Sequence, residues 1–360
     1  MNSVYIIAEA GVNHNGDPKT AFQLIDAAVD SGVDAVKFQT FTAEKLVTKN
    51  AIKADYQYKT TDVDESQFSM LKRLELTHET HYELAHYCKK KGIEFLSTAF
   101  DLDSLDFLVN NLKLKTLKIP SGDLTNGPLL LAHAQTGCDL ILSTGMATLG
   151  EIEEALSVLA FGLLGNDDAI RPSVAKFQKA FSSTEGQQLL KEKVTVLHCT
   201  TEYPAPPQEI NLNAMVTMRN SFQLKTGYSD HSEGIVSPIV AVALGAILIE
   251  KHFTLDKHSK GPDHQASLNP SELARMVKAI RMTEKVMGSG IKKAAPSELK
   301  NKLIARKSII AAKNIKKGDI FTKDNLTIKR PGTGISPMKF WEIVGKESKV
   351  NYAKDMEIEI

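Results

Sequence analysis

Residues 225–253, KTGYSDHSEGIVSPIVAVALGAILIEKHF, contain two short apolar runs, each closed by a histidine just where the chain turns polar. His231 ends the first run and His252 ends the second. Runs this short, bounded by turn residues, suit strands buried on both faces rather than helices. Six similar runs precede them: VYIIAEA, DAVKFQT, EFLSTAF, LKTLKIPSG, DLILSTGM and VTVLHCT. Helical patterns lie between most of these. After NHNGD, Asp17 can cap a helix with Pro18 in its first turn; Ala21, Leu24, Ile25, Ala28 and Val29 recur at helical spacing, and Gly32 ends it. THETHYELAHYCKKKG repeats the logic, with Thr77 as cap, a lysine run at the C-terminal end and Gly92 as stop. Eight strand–helix alternations predict an α/β fold, a (β/α)8 TIM barrel, with an open doubly wound sheet as the alternative.

The chain's 360 residues suffice for one large domain and a small one. The reading places a barrel over 1–285, a polar connector over 286–303 and a small β-rich domain over 304–360, where RKSIIAAKNIKKGDIFTKDNLTIKRPGTGI is broken by Lys-Gly-Asp and Pro-Gly turns. A domain of that size has a marginal core and is expected to lean on another surface. Residues 42–75 are too long for an ordinary strand–helix connection and are expected to form an active-site loop. Residues 161–192 form a second polar, helix-prone insertion.

Lys and Arg total 44 against 43 Asp and Glu, so no basic surplus points to nucleic acid or an anionic membrane. Cys88, Cys138 and Cys199 form no CxxC pair, and the sparse, odd count suits reduced thiols in a cytoplasm. The N-terminus lacks a basic n-region and has Glu9 inside its first apolar run, so a signal peptide is not expected. No stretch is long and apolar enough to span a membrane.

In barrels of this type the active site lies at the C-terminal ends of the strands. Those ends are Glu9; Lys37 and Gln39; Ser97 and Thr98; Lys118 and Ser121; Ser143 and Thr144; His198 and Thr200; Ser229, Asp230 and His231; Glu250 and His252. All of them bind or transfer charge. Two histidines on adjacent strands beside Glu9 suit a divalent ion such as Mn²⁺ acting as a Lewis acid. His198, within its strand, reads as structural. Lys37 and Lys118 sit inside runs expected to be buried, so each needs an anionic partner. With Ser121, Ser143 and Ser229 they would cradle phosphate and carboxylate, or one of them would act as a Schiff-base nucleophile. Asp263 in GPDH follows the eighth run closely enough to overhang the rim.

IIAEAGVNHNGD, DAVKFQTF, FLSTAFD, LKIPSGDLTN, ILSTGMAT, LHCTTEYPAP, GYSDHSEG, IEKHFTLDK and GPDHQASL, taken in order, resemble the sialic acid synthase family, which includes legionaminate and pseudaminate synthases and condenses phosphoenolpyruvate with an N-acylated hexosamine. The C-terminal stretch resembles the antifreeze-like (SAF, β-clip) domain, and the family implies a domain-swapped homodimer. The resemblance implies that His231 and His252 hold Mn²⁺ or Mg²⁺. Lys37, Thr98, Lys118, Ser121, Ser143 and Ser229 fall on positions implied to bind phosphoenolpyruvate, with Asn126 in the same LTN motif. Glu9, Gln39, Tyr203 and Asp263 fall near the sugar, and Arg330 is implied to reach the neighbouring subunit's site. Thr201 is implied to bind substrate, in the Thr200–Thr201 segment where some members place an Asn against phosphoenolpyruvate. Glu9 is expected to stabilise the charge developing at carbon 2 or to activate water. N-acetylmannosamine, giving N-acetylneuraminate, is the first expected sugar, and a 2,4-diacetamido-trideoxyhexose, giving legionaminate or pseudaminate, is the second.

Overall fold

The computed structural model describes residues 3–165 and 171–359, so part of the 161–192 insertion lies outside the described residues. It divides into two compact units, Met1–Gly288 and Ser289–Ile360. In the first, eight parallel strands form a closed barrel in sequence order: β1 (Tyr5–Gly11), β2 (Ala35–Thr40), β3 (Glu94–Ala99), β4 (Thr116–Ile119), β5 (Asp139–Ser143), β6 (Val194–His198), β7 (Lys225–Asp230) and β8 (Leu248–His252). Closure comes from β1 pairing with β8, which sets Glu9 opposite His252. The open sheet is thereby excluded.

Helix α1 (Pro18–Ser31) begins where Asp17 accepts from the Lys19 and Thr20 amides at 3.1 and 3.0 Å, and it stops at Gly32, whose φ of 75° is left-handed. Residues 42–75 are not a plain loop. They carry helices α2 (Ala43–Leu46), α3 (Asp55–Thr60) and α4 (Gln67–Leu74) before α5 (His78–Lys91). The described part of the other insertion forms helices Val174–Phe181 and Thr184–Lys193.

Successive strand residues point to opposite faces, so alternate positions enter the barrel. Ile7, Ala35, Leu96, Ile141, Leu197 and Leu248 form one buried apolar cluster, the floor. Two residues further along those strands stand Glu9, Lys37, Thr98, Ser143, Cys199 and Glu250. One repeat of the pleat replaces the hydrocarbon with charges, hydroxyls and one thiol. The outward positions, such as Ile6, Val36, Phe38 and Ile249, pack with α1, α5 and the helix Pro270–Met287 in the largest apolar cluster.

In the second unit β9 (Ser308–Ala311) and β10 (Leu326–Lys329) pair antiparallel over a core that includes Ile309, Ile315, Phe321, Leu326, Ile343 and Tyr352. The segment read as a connector includes most of a helix, Leu299–Ala305.

At the floor, β7 contributes Gly227, where a Cβ would lie 2.4 Å from the Leu248 carbonyl oxygen and 2.7 Å from a Leu197 methyl. Gly227→Ala is therefore expected to lower unfolding free energy by about 1–3 kcal/mol through overpacking. Urea denaturation checks this, and an unchanged midpoint would show that the floor yields.

Candidate active site

The C-terminal mouth of the barrel holds a cavity of about 300 Å³. Of the residues singled out from the sequence, Glu9, Lys37, Gln39, Thr98, Lys118, Ser121, Ser143, Thr201, Tyr203, Ser229, His231, His252 and Asp263 all line it. Asn126 does not. Its side chain caps the helix Gly127–Gln135, accepting from the Leu129 amide at 3.3 Å and donating to Asp123 at 3.0 Å. Arg330 is exposed in the second unit and donates to the Ala305 carbonyl at 3.0 Å.

Glu250 also lines the cavity, and it organises the charged layer. Lys118 donates to it at 3.1 Å, as does Ser229 at 3.0 Å, while Lys37 lies 3.7 Å from its other oxygen. Lys37 makes its shorter contact, 2.6 Å, with Glu9, and donates to Thr98 at 3.0 Å. Two lysines and two carboxylates thus alternate, all buried. Glu250 was visible as a strand end, but only closure of the barrel brings both lysines onto it.

Environment drives the two carboxylates apart. Burial pushes Glu9 up to about 7, opposed by Lys37 and assisted by Glu250. Burial acts on Glu250 in the same direction, yet Lys118 and Lys37 overcome it and hold the group down at about 2. Burial alone would also lower Lys37, but Glu250 and Glu9 keep it raised and protonated. A protonated, ion-paired amine is a poor nucleophile, which disfavours a Schiff-base role for Lys37.

Above this layer stand the imidazoles, with ring centroids 5.6 Å apart. His231 donates through Nδ1 to the Thr200 carbonyl at 2.7 Å, which leaves the Nε2 lone pair facing the Tyr203 hydroxyl at 3.2 Å. Burial pushes His231 down to about 4, and His252 falls well below the ordinary range through burial and its neighbour His231. Both rings are neutral and have the lone pairs a metal needs. His252 Nδ1 is buried without a hydrogen-bond partner and lies 3.9 Å from Asp263. Among the described residues no group of three or more His, Cys, Asp or Glu is arranged to hold an ion unaided. Two imidazole nitrogens suit a divalent ion, which would have to draw its remaining ligands from water or substrate oxygens. His198, by contrast, is engaged with the Ile210 carbonyl at 2.6 Å, as its position within the strand suggested.

Asp263, pushed up to about 6 by burial, is delivered by the loop after β8. Ser267 donates to its carbonyl at 2.6 Å, and Asn13 donates to both Ser267 and the Phe253 carbonyl at 2.9 Å. The NHNG turn, weak as a motif, fastens that loop. Two hydroxyls deeper in the cavity, Ser143 Oγ and Thr201 Oγ1, are buried and unpartnered, as expected where a polar ligand completes the hydrogen bonding.

A closed barrel bearing a charged layer, unpartnered hydroxyls and two neutral imidazoles at its C-terminal mouth is the architecture of a barrel enzyme. The chain matches the NeuB family over residues 24–292 and the SAF domain over 306–355, and it belongs to the NeuB family. It is 52% identical to an N,N'-diacetyllegionaminic acid synthase of Campylobacter jejuni over 99% of this chain and 98% of that one. It is 45% identical to a protein of the same name from Legionella pneumophila, over 96% of this chain and 91% of the relative. A crystal structure of an N-acetylneuraminic acid (sialic acid) synthetase from Leptospira borgpetersenii superposes with a TM-score of 0.67 at 33% identity, covering 83% of this chain and 90% of that one. No helix among the described residues is long and apolar enough to cross a membrane.

Behind the imidazoles, on the outward face of the same two strands, Lys251 donates to Asp230 at 2.7 Å and to the Ser232 carbonyl, with both charged side chains fully buried. Asp230 also accepts from Tyr228 at 3.0 Å and from the Ser232 amide and hydroxyl at 2.9 and 2.7 Å. Lys251→Met would strand the carboxylate and is expected to cost about 3–5 kcal/mol, part of which the double variant with Asp230→Asn recovers. Equilibrium unfolding measures both, and a single variant as stable as the parent would refute the account.

Proposed function

We propose that this protein condenses phosphoenolpyruvate with a 2,4-diacetamido-trideoxyhexose to give a legionaminate-type nonulosonic acid and phosphate. The second sugar expected from the sequence is preferred to N-acetylmannosamine because the two relatives above, at 52% and 45% identity over nearly the whole chain, are named N,N'-diacetyllegionaminic acid synthases. The reaction class rests on one juxtaposition: two neutral imidazoles directly over a layer of lysines and carboxylates in a single cavity.

Charge supports the cofactor. Lys37 and Lys118 are already balanced by Glu9 and Glu250, so a substrate carrying both phosphate and carboxylate needs further positive charge. Mn²⁺ or Mg²⁺ on His231 and His252 would supply it, together with Lewis-acid polarisation of the sugar aldehyde.

The chain's own groups do the rest. Lys37 and Lys118, with the Ser121, Ser143 and Ser229 hydroxyls, hold phosphate and carboxylate so that carbon 3 of phosphoenolpyruvate meets the aldehyde carbon. As the new C–C bond forms, positive charge develops at carbon 2, and Glu9, paired with the Lys37 ammonium at 2.6 Å, is the carboxylate that would offset it. A carboxyl near neutrality is matched to accepting the proton of the water that adds at carbon 2. Phosphate then leaves with C–O cleavage. Glu250, held ionised, fixes both lysines. The C-terminal SAF domain is proposed to pair with a second copy in a homodimer that brings Arg330 to the partner's cavity. We place the reaction in the cytoplasm.

Phosphate release from phosphoenolpyruvate with Mn²⁺ tests the reading. Release is expected with the diacetamido sugar, falling to background with EDTA and returning with added Mn²⁺. His231→Ala and His252→Ala should each weaken Mn²⁺ binding, measured by calorimetry, by more than the roughly 10–100-fold that loss of an outer hydrogen-bond partner costs. EDTA-resistant release would remove the metal from the mechanism, and release only with N-acetylmannosamine would restore the first sugar.

A further inference from the structure

The cavity is chemically two-sided. Its inner end is the charged layer with the imidazoles, and its outer wall comes from residues 42–75. On α4, the residues facing the cavity are Gln67, Met70, Leu71 and Leu74, the i, i+3, i+4, i+7 stripe of one helical face, while Ser69, Lys72 and Arg73 on the other face are exposed. Met70 and Leu74 are fully buried in a small cluster with Val12 and Phe41, which anchors the helix. Leu71 and, at the end of α2, Leu46 and Val47 remain partly exposed and border the cavity. Packing accounts for Met70 and Leu74, and the hydrocarbon left facing the cavity is that of Leu71, Leu46 and Val47.

The aromatic rings give this wall a direction. Tyr56 of α3 packs on Tyr203 with centroids 5.0 Å apart, and Tyr203 stacks on His231 at 4.2 Å. Two rings thus lie between His231 and the backbone of α3, so the 42–75 segment borders the cavity outside the imidazoles. On the proposed function, a sugar whose aldehyde end lies at the imidazoles would extend its far carbons toward the cavity border that includes Leu71, Val47 and Gln67.

We infer that the α4 face, through Leu71 with Val47 beside it and Gln67 one turn away, is the element that selects a 4-acetamido, 6-deoxy sugar over one bearing hydroxyls at those carbons. The inference rests on the proposed function and names the part of the same site that sets its substrate. The 6-methyl and the acetyl methyl would cover hydrocarbon, and the amide of Gln67 offers a donor and an acceptor of the kind an acetamido group requires. A hydroxyl set against Leu71 or Val47 would lose water without gaining a partner. Methyl-sized discrimination in an apolar pocket is worth roughly tenfold to two-hundredfold in kcat/KM.

Leu71→Asn tests it, with kcat/KM measured for the 2,4-diacetamido-trideoxyhexose and for N-acetylmannosamine. The ratio between the sugars is expected to fall by about tenfold or more, through KM for the diacetamido sugar, with KM for phosphoenolpyruvate unchanged. Val47→Thr exchanges a methyl for a hydroxyl at constant shape, should move the ratio the same way, and serves if Leu71→Asn does not fold. A wild-type enzyme that prefers the diacetamido sugar, with a ratio unmoved in every folded variant, overturns the inference and leaves the proposed function standing. A wild-type enzyme that prefers N-acetylmannosamine overturns both.

Discussion

The constraint on which the rest depends is the alternating charge chain Glu9–Lys37–Glu250–Lys118 sealed inside the barrel. Burying each ion costs on the order of several kcal/mol, and mutual attraction repays that only with close contacts and further hydrogen bonds. The barrel supplies both. Lateral register sets Glu9 beside Lys37 and Ser229 beside Glu250, and the apolar floor one pleat below excludes water from beneath the layer. Such an arrangement is a poor way to gain stability over well-packed hydrocarbon. Its retention fits a site that needs ammonium groups fixed before an anion arrives.

The same layer explains why two identical residue types behave oppositely. Glu9 touches one lysine, which offsets burial only in part, whereas Glu250 draws on two lysines and a serine. A carboxyl near neutrality and one permanently ionised therefore sit within a single cavity. Separation of this kind divides proton transfer from charge placement without any difference in side chain.

The fold was legible because parallel barrel strands are short, buried on both faces and separated by capped helices, and because Asp17, Gly32, Thr77 and Gly92 mark the helix ends. Reading strand ends then recovered most of the cavity, since topology alone puts those residues on one rim. What escaped depends on closure and on side-chain direction. Glu250 stands among the strand ends, but its pairing with lysines from both β4 and β2 appears only in the closed barrel. Asn126 has the composition of a binding residue but serves its own helix. The stripe Gln67, Met70, Leu71, Leu74 does carry helical spacing behind the Ser66 cap, a signal hidden inside a segment read as loop.

The position of α2, α3 and α4 along the chain has a consequence for how this architecture diversifies. They lie wholly within the β2-to-α5 connection and contribute no strand to the barrel ladder, and their anchoring cluster is separate from the floor and from the main core. The α4 residues that border the outer cavity thus rest on a cluster separate from the floor that fixes the reactive groups, and α3 ties back to the site, through Tyr56 on Tyr203 and the Thr60 carbonyl on the Gly261 amide at 3.2 Å. Substitution along α4 can therefore alter the outer cavity while the ion pairs and hydrogen bonds of Glu9, Lys37, Lys118 and Glu250, none of which involves α4, stay as they are.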